Sequence, residues 1–244
     1  MKFLVLLLFF VNEIFAITKV HEIEFESGIE IYGKIGRVSM KLEENFTLHT
    51  YKMRVTSVSI GILKSLTSNR KEIYISTGVI KDGIYIPKKF IKKAIDDGMK
   101  DVVTYKYNGE TKYVLKSRHR EKEVLKTYFS HELFKFIEKT QIKVKDKVSK
   151  IPYCKNDFLS LYLNYTHNNL DMGSVKFLDQ KGKDKVTLID LKKFRLEKNH
   201  GEKELLIELI NDEESVFFKK AITHVAFFGD AYIEKVSEKD YTLK

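Results

Sequence analysis

The chain has 244 residues, a formal net charge of +10, seven histidines and a single cysteine, Cys154. One cysteine cannot form an intramolecular disulfide, so a packed core must stabilise the fold, and a chain of this length can bury one. The basic excess could attract nucleic acid, but only six of the 44 basic residues are arginine, whose planar side chain suits phosphate recognition best.

The N-terminus has the three parts of a secretory signal. A positive start at Met1-Lys2 precedes an unbroken apolar run from Phe3 to Val11, and a more polar segment ends at Ala16. Nine apolar residues rise about 14 Å as a helix, against a hydrocarbon core of about 30 Å, so a membrane anchor is disfavoured. We predict cleavage after Ala16 and a periplasmic domain of residues 17–244, without stable membrane insertion and without a nucleic-acid partner.

The first part of this domain reads as antiparallel strands. From Glu22 to Ile60 apolar and charged residues alternate, which indicates strands with one buried face. Asp82-Gly83 and Asn108-Gly109 lie between β-type segments and predict hairpins. Residues 88–98 fit helical spacing as well as a strand, and both readings stay open here.

Two helices are predicted in the middle of the chain. Between Glu121 and Lys139 apolar residues recur at spacings of three and four residues, which is the periodicity of a helix. A second helix begins at Asn156 or Asp157, either of which can cap it, and runs through Tyr165. This second helix is apolar nearly all round, so we expect it to plug or cover the sheet.

The remaining residues return to strands. The predicted strands are Val186–Leu196, Glu204–Ile210, Val216–Lys219 and Ile222–Val236. Strands therefore flank a central helical stretch, without the strand–helix alternation of parallel sheets. The expected fold is mainly β, a single antiparallel domain with one or two short helices.

Several short motifs resemble a known family across nearly the whole domain. They are Gly33-Lys34-Ile35-Gly36, Asn69-Arg70-Lys71-Glu72, Ser76-Thr77-Gly78-Val79-Ile80 with Asp82-Gly83 and Ile86-Pro87, Asn156-Asp157-Phe158-Leu159-Ser160-Leu161, and Phe227-Phe228-Gly229-Asp230. In these motifs the chain resembles the exported bacterial proteins called domain of unknown function three-one-zero-eight, in the version of Campylobacter-like bacteria. It departs from them at Arg37-Val38, where Glu then Ala is usual, and residues 118–150 follow no pattern of the family.

The resemblance implies an exported antiparallel fold with a strongly curved sheet or an incomplete barrel or sandwich. It implies no activity, because the family has none assigned. It also favours a hairpin for residues 88–98.

We find no complete catalytic or metal-binding motif in the sequence. His131-Glu132 begins like a zinc-protease helix, but Lys135 stands where the second histidine is required. Cys154 is interpreted as a packed thiol, and the acidic pairs Asp96-Asp97 and Glu213-Glu214 as solvated turns. We predict no catalytic residue, metal ligand or cofactor, and whether any catalysis occurs stays open.

Three residues are candidate sites. Arg70 and Glu72 share one face of a predicted strand, where a structural cross-strand ion pair is favoured over ligand binding. Asn45 begins an Asn-Phe-Thr acceptor pattern with Glu43 two residues before it, as bacterial glycosylation requires; Asn164 matches the pattern too, but lies in the second predicted helix.

Three functions follow from these expectations. The first is a non-enzymatic periplasmic protein that holds an apolar ligand, such as a lipid, or an envelope partner in its sheet. The alternative is a structural or interaction module at the anionic cell envelope, and a hydrolase comes last. The sequence names no ligand and no oligomeric state.

Overall fold

A computed structural model gives the fold of most of the domain. It describes residues 17–109, 112–130, 132–166, 175–180, 183–189, 204–210, 215, 217–225 and 229–243. The predicted signal peptide and its cleavage site at Ala16 lie outside the described residues.

The described chain is mainly β, as predicted, with two short helices. The strands are β1 Thr18–Ile29, β2 Gly33–Asn45, β3 Thr50–Ser59, β4 Lys71–Lys81, β5 Ile84–Asp96, β6 Met99–Tyr107, β7 Tyr113–Ser130, β8 Lys135–Pro152, β9 Val175–Gln180, β10 Lys183–Ile189, β11 Glu204–Ile210, β12 Lys220–Val225 and β13 Gly229–Leu243. The helices are α1 Gly61–Leu66 and α2 Phe158–Thr166. Among the described residues, no helix is long and apolar enough to cross a bilayer.

All described strands belong to one open antiparallel sheet. Its order is β8-β7-β6-β5-β4-β3-β2-β1-β13-β12-β11-β10-β9, so β8 and β9 are the edges. Strands β1 to β8 form a meander in which each strand pairs with the next. Successive turns of the meander therefore lie at alternate ends of the sheet.

The predicted hairpins are confirmed. Asp82 and Gly83 form the two-residue turn between β4 and β5, and both have positive φ, 52° and 76°, as a type I′ turn requires. Asn108-Gly109 follows β6, which pairs with β7. Residues 88–98 form the end of β5 and the turn into β6, so the hairpin reading is right and the helical one wrong.

The helix predicted between Glu121 and Lys139 is wrong. The described residues of this span belong to β7 and β8, with cross-strand neighbours such as Phe129 and Phe136. Aromatic and β-branched residues are frequent on both strands, and they favour extended backbone. Helical spacing arose there because these two strands are exposed on both faces, so burial imposes no period of two.

The last predicted strands need smaller corrections. The strand Glu204–Ile210 is confirmed. The described residues of Val216–Lys219 are not strand, although Phe217 is buried, and β12 begins at Lys220. The span Ile222–Val236 is divided between β12 and β13, and Val186–Leu196 is a strand as far as Ile189, beyond which it lies outside the described residues. Helix α1 has no counterpart in the sequence-based prediction.

Helix α2 plugs the sheet, as its sequence predicted. Asp157 caps it, because its Oδ1 accepts the backbone N–H groups of Leu159 and Ser160 at 2.9 Å each. Leu159 and Leu163 are buried in the main hydrophobic core, with residues from β1 to β7. The face of the sheet that bears this core and α2 is called the inner face below.

Candidate functional site

The interior that a bent sheet could offer to an apolar ligand is occupied by α2. Asn164, in the last part of the helix, accepts the backbone N–H of Tyr85 at 2.8 Å and donates to the Tyr85 carbonyl at 3.0 Å. It also donates to Asn156 Oδ1 at 3.0 Å. These bonds fix the helix to β5, and they leave Asn164 buried. Helix α2 is therefore part of the core.

A charged opening of about 180 Å³ lies on the inner face, at the edge of this core. Its lining comes from Arg70, the residue before β4, and from β5, β6 and β7, and it is named the arginine pocket. The lining residues are Arg70, Lys92, Ala94, Met99, Asp101, Val103, Arg118 and Arg120. Val103 also belongs to the buried core, so the pocket directly adjoins the apolar interior.

One carboxylate anchors two arginines in the pocket. Asp101, largely buried, accepts Arg118 Nε at 2.9 Å on Oδ1. Its Oδ2 accepts Arg120 Nε at 3.0 Å and Arg120 Nη2 at 2.7 Å. Burial alone would raise the pKa of Asp101, but the hydrogen bonds from Arg118 and Arg120 outweigh burial and lower it. The carboxylate is thus ionised and holds both guanidinium groups in fixed positions.

The predicted pair of Arg70 and Glu72 stands beside this anchor. Arg70 Nε donates to Glu72 Oε1 at 2.8 Å, and Tyr74 donates its hydroxyl to the other carboxylate oxygen. The ion pair exists, but it runs along one strand segment instead of across strands, because side chains two residues apart share a face. Burial would raise the pKa of Glu72, and the bonds from Tyr74 and Arg70 lower it instead.

Cations outnumber carboxylates at the pocket. Arg70, Arg118, Arg120 and Lys92 line the pocket with one carboxylate, Asp101. Glu72 and Asp96 also interact with Arg70, so these seven groups together have a formal charge of +1. Three of the six arginines of the chain meet here, although the chain has 38 lysines. Arginine presents a planar fork that binds carboxylate or phosphate in two places at once. The arrangement can therefore hold an anionic group.

Sequence reasoning found Arg70 and Glu72 but missed Arg118 and Arg120. The alternation of the two missed arginines was a usable signal, because it places both on one face of a strand. Lys92 approaches them only through strand register, since it lies opposite Val103, which lies opposite Arg118.

A larger cleft of about 480 Å³ lies mainly on the other face, across β1, β2, β3 and β13. Its charged lining is Glu24, Glu26 and Arg37, and Glu26 is paired with Lys34. It concentrates little charge of either sign, so the arginine pocket is the stronger candidate.

The described residues outside the pocket form no metal site. No cluster of three His, Cys, Asp or Glu side chains suited to a metal ion occurs within them. Both ring nitrogens of His21 face carboxylates, Nδ1 at 2.7 Å from Asp240 and Nε2 at 3.6 Å from Glu44. The bond to Glu44 is the main cause that raises the pKa of His21, against burial, with Asp240 adding to it. Both ring nitrogens of His21 are therefore engaged by carboxylates.

The other predicted positions have local roles. Cys154 donates its thiol to the Asn156 carbonyl at 3.1 Å and is half-buried. Asn45 donates to Thr18 Oγ1 at 3.1 Å and accepts the Leu48 N–H at 2.7 Å, so its amide closes the turn after β2. Its glycosylation stays a prediction. His131 and Glu213-Glu214 lie outside the described residues.

No protein-family model and no curated protein matches this chain. The resemblance to domain of unknown function three-one-zero-eight stays a prediction, and function has to be argued from the arginine pocket and the surface.

Proposed function

We propose that this chain is a non-enzymatic periplasmic binding protein that holds an anionic group of a lipid or another envelope component in the arginine pocket. The observation that carries the proposal is the convergence of Arg70, Arg118 and Arg120 on one inner-face opening with a net positive charge. Phosphate and carboxylate both match guanidinium geometry.

The position of α2 supports a ligand at the edge of the core. Leu159 and Leu163 fill the space that an acyl chain would need inside the sheet. The lining includes Val103, Ala94 and Met99 beside the arginines, so a ligand can place its charged group against the arginines and its apolar part against these side chains. Periplasmic location is supported by the signal pattern of residues 1–16.

Removal of one arginine tests this function. In Arg120→Gln the carboxylate of Asp101 keeps Arg118, so the fold is preserved while one guanidinium is lost. A charged hydrogen bond contributes about 1.5–3 kcal/mol, and we therefore expect phosphate to bind at least about tenfold more weakly. The matched control is Arg54→Gln, an exposed arginine of β3.

Two measurements check the expectation. Calorimetric titration with inorganic phosphate at low salt compares the affinities, which fall as salt is added. Mass spectrometry of solvent extracts, from protein purified out of the native envelope, shows whether an anionic molecule leaves with the wild type and with Arg54→Gln but not with Arg120→Gln. Equal retention by all three proteins, or none by any, would contradict the proposal.

The alternative, an interaction module at the anionic envelope, is favoured by one further observation. The hairpin of β7 and β8, residues 113–152, contains eleven Lys and Arg against five Asp and Glu. This single hairpin thus carries +6 of the net charge of +10.

A further inference from the structure

Strands β7 and β8 extend far beyond the rest of the sheet. Each has 18 residues, whereas β6 has nine, and its first residue, Met99, lies opposite Lys122. From Glu123 to Ser130 the only described strand paired with β7 is β8, in eight cross-strand pairs, and Glu123 also donates its backbone N–H to the Gly98 carbonyl in the turn before β6. At about 3.3 Å per residue, these pairs project roughly 26 Å from the sheet. Residues 123–142 are named the ribbon.

The tip of the ribbon is apolar and exposed. The exposed fractions are 60% for Leu133, 84% for Phe134 and 73% for Phe136. The Phe129 ring contacts those of Phe134 and Phe136, with centroids 5.7 and 5.3 Å apart. Phe134 has a φ of +47°, a conformation in which a bulky residue is disfavoured. Neither burial nor backbone preference accounts for an aromatic residue at this position.

Lysines collect on one face of the ribbon and its base. Lys126 lies directly opposite Lys139, and Lys122 opposite Lys143. Like charges directly opposite one another destabilise a sheet, so this placement weakens the free protein.

The acidic residues of the two strands lie elsewhere. Glu123 and Glu138 are an odd number of positions from the lysines of their own strands, so they lie on the opposite face. Glu132 lies in the turn. The two faces of the ribbon therefore differ in charge: one carries the row of lysines, and the other carries the acidic residues with Phe129 and Phe136. The apolar turn residues Leu133 and Phe134 lie at the end of both faces.

We propose that the ribbon attaches the protein to the surface of an anionic lipid bilayer. The apolar tip around Phe134 enters the interfacial region, and the lysine pairs reach the lipid phosphates. A bilayer offers both an apolar layer and a dense negative surface, and long lysine side chains can extend to headgroups while their stems cover apolar surface. The attachment uses different residues from the arginine pocket, so it can be right or wrong independently of the proposed ligand.

A fluorescent reporter at the tip tests the attachment directly. The chain has no tryptophan, so Phe134→Trp introduces a unique probe and keeps an aromatic apolar tip. The matched control is Phe46→Trp, an exposed position in the turn after β2, at the opposite end of the meander. The chain from Ile17 onward is the form to use, because it contains every strand and helix described.

The vesicles are an equal mixture of phosphatidylglycerol and phosphatidylethanolamine, with phosphatidylcholine vesicles for comparison. We expect the emission of Phe134→Trp to shift to shorter wavelength and to be quenched by brominated lipid in the anionic vesicles, with little change in phosphatidylcholine. Phe46→Trp should not respond. An unchanged tip signal, an equal response to neutral vesicles, or the same response from both reporters would overturn the proposal.

Two loss variants separate the apolar and the charged parts in a vesicle-flotation assay. Phe134→Asn removes the ring, and asparagine accepts the positive φ of this position, so the turn is preserved. We expect about tenfold weaker partitioning. Lys126→Gln with Lys139→Gln should also weaken binding to anionic vesicles about tenfold, and added salt should remove this difference.

The lysine variant has a second readout that a merely structural role would not give. Since the two lysines repel each other, their replacement should leave thermal stability unchanged or higher while vesicle binding falls. Full vesicle binding by either variant shows that the ribbon does not make the attachment. Phe46→Asn is the control for both, and its partitioning should equal that of the wild type.

Discussion

The buried carboxyl of Asp157 makes the stability of the α2 plug depend on pH. Burial is the largest effect and raises its pKa to about 6, from a usual value of 3.8, although Ser160, Ser76 and Leu159 all donate hydrogen bonds to it. Below pH 3.8 the group is protonated in both the folded and the unfolded chain. Above pH 6 it is ionised in both, and the folded chain is destabilised because its carboxylate is charged while buried. A shift of about two units corresponds to about 3 kcal/mol.

Asp157→Asn removes this dependence. Asparagine is also a good N-cap, so the helix start is preserved. As pH rises from 4 to 7, the free energy of unfolding of the wild type should fall by about 2 kcal/mol relative to that of the variant, because part of the full change lies below pH 4. Urea unfolding followed by circular dichroism at several pH values measures this difference. The contributions of titrating groups that both proteins share cancel when the two are subtracted.

The matched control is Asp82→Asn, an exposed position in the turn between β4 and β5. Its profile should follow that of the wild type. A constant difference between Asp157→Asn and wild type across the whole pH range would refute the reasoning, because the carboxyl would then titrate alike in the folded and unfolded chains.

Two further predictions concern packing. Leu163 is fully buried in the plug, so Leu163→Ala should lower the free energy of unfolding by about 2–5 kcal/mol, measured by urea titration. The control is Leu125→Ala, at a 70% exposed position of the ribbon, which should change this free energy by less than about 0.5 kcal/mol. A methyl group on Gly78 would overlap a backbone carbonyl oxygen of β5, so Gly78→Ala should lower the melting temperature by several degrees; Gly109→Ala meets no atom within 4 Å and serves as control. Similar melting temperatures for the two glycine variants would contradict this packing.

Local signals predicted much of the fold because they act over a few residues. Asp82-Gly83 specifies a turn by its own backbone preference, and Asp157 caps a helix through bonds to the next turn. Alternation between Glu22 and Ile60 was informative because one face of those strands is buried. The ribbon has no such burial, so periodicity there carried no structural information and indicated a helix that does not form.

The candidate site was only half predictable for a different reason. Arg70 and Glu72 are close in sequence, so one pattern shows both. Asp101 reaches Arg118 and Arg120 through the pairing of β6 with β7, which depends on the register of two strands and the turn between them. No short pattern encodes the meeting of these charges.

The pairing of β1 with β13 has a consequence for how the chain is made. Thr18 lies opposite Leu243, so the middle of the sheet joins the first and the last segments of the domain. Until synthesis reaches the C-terminus, β1 lacks a neighbour on one side, and contacts of such long sequence separation form slowly. The sheet can therefore be completed only after the last strand has been made, and folding of the chain should be slow for a domain of this size.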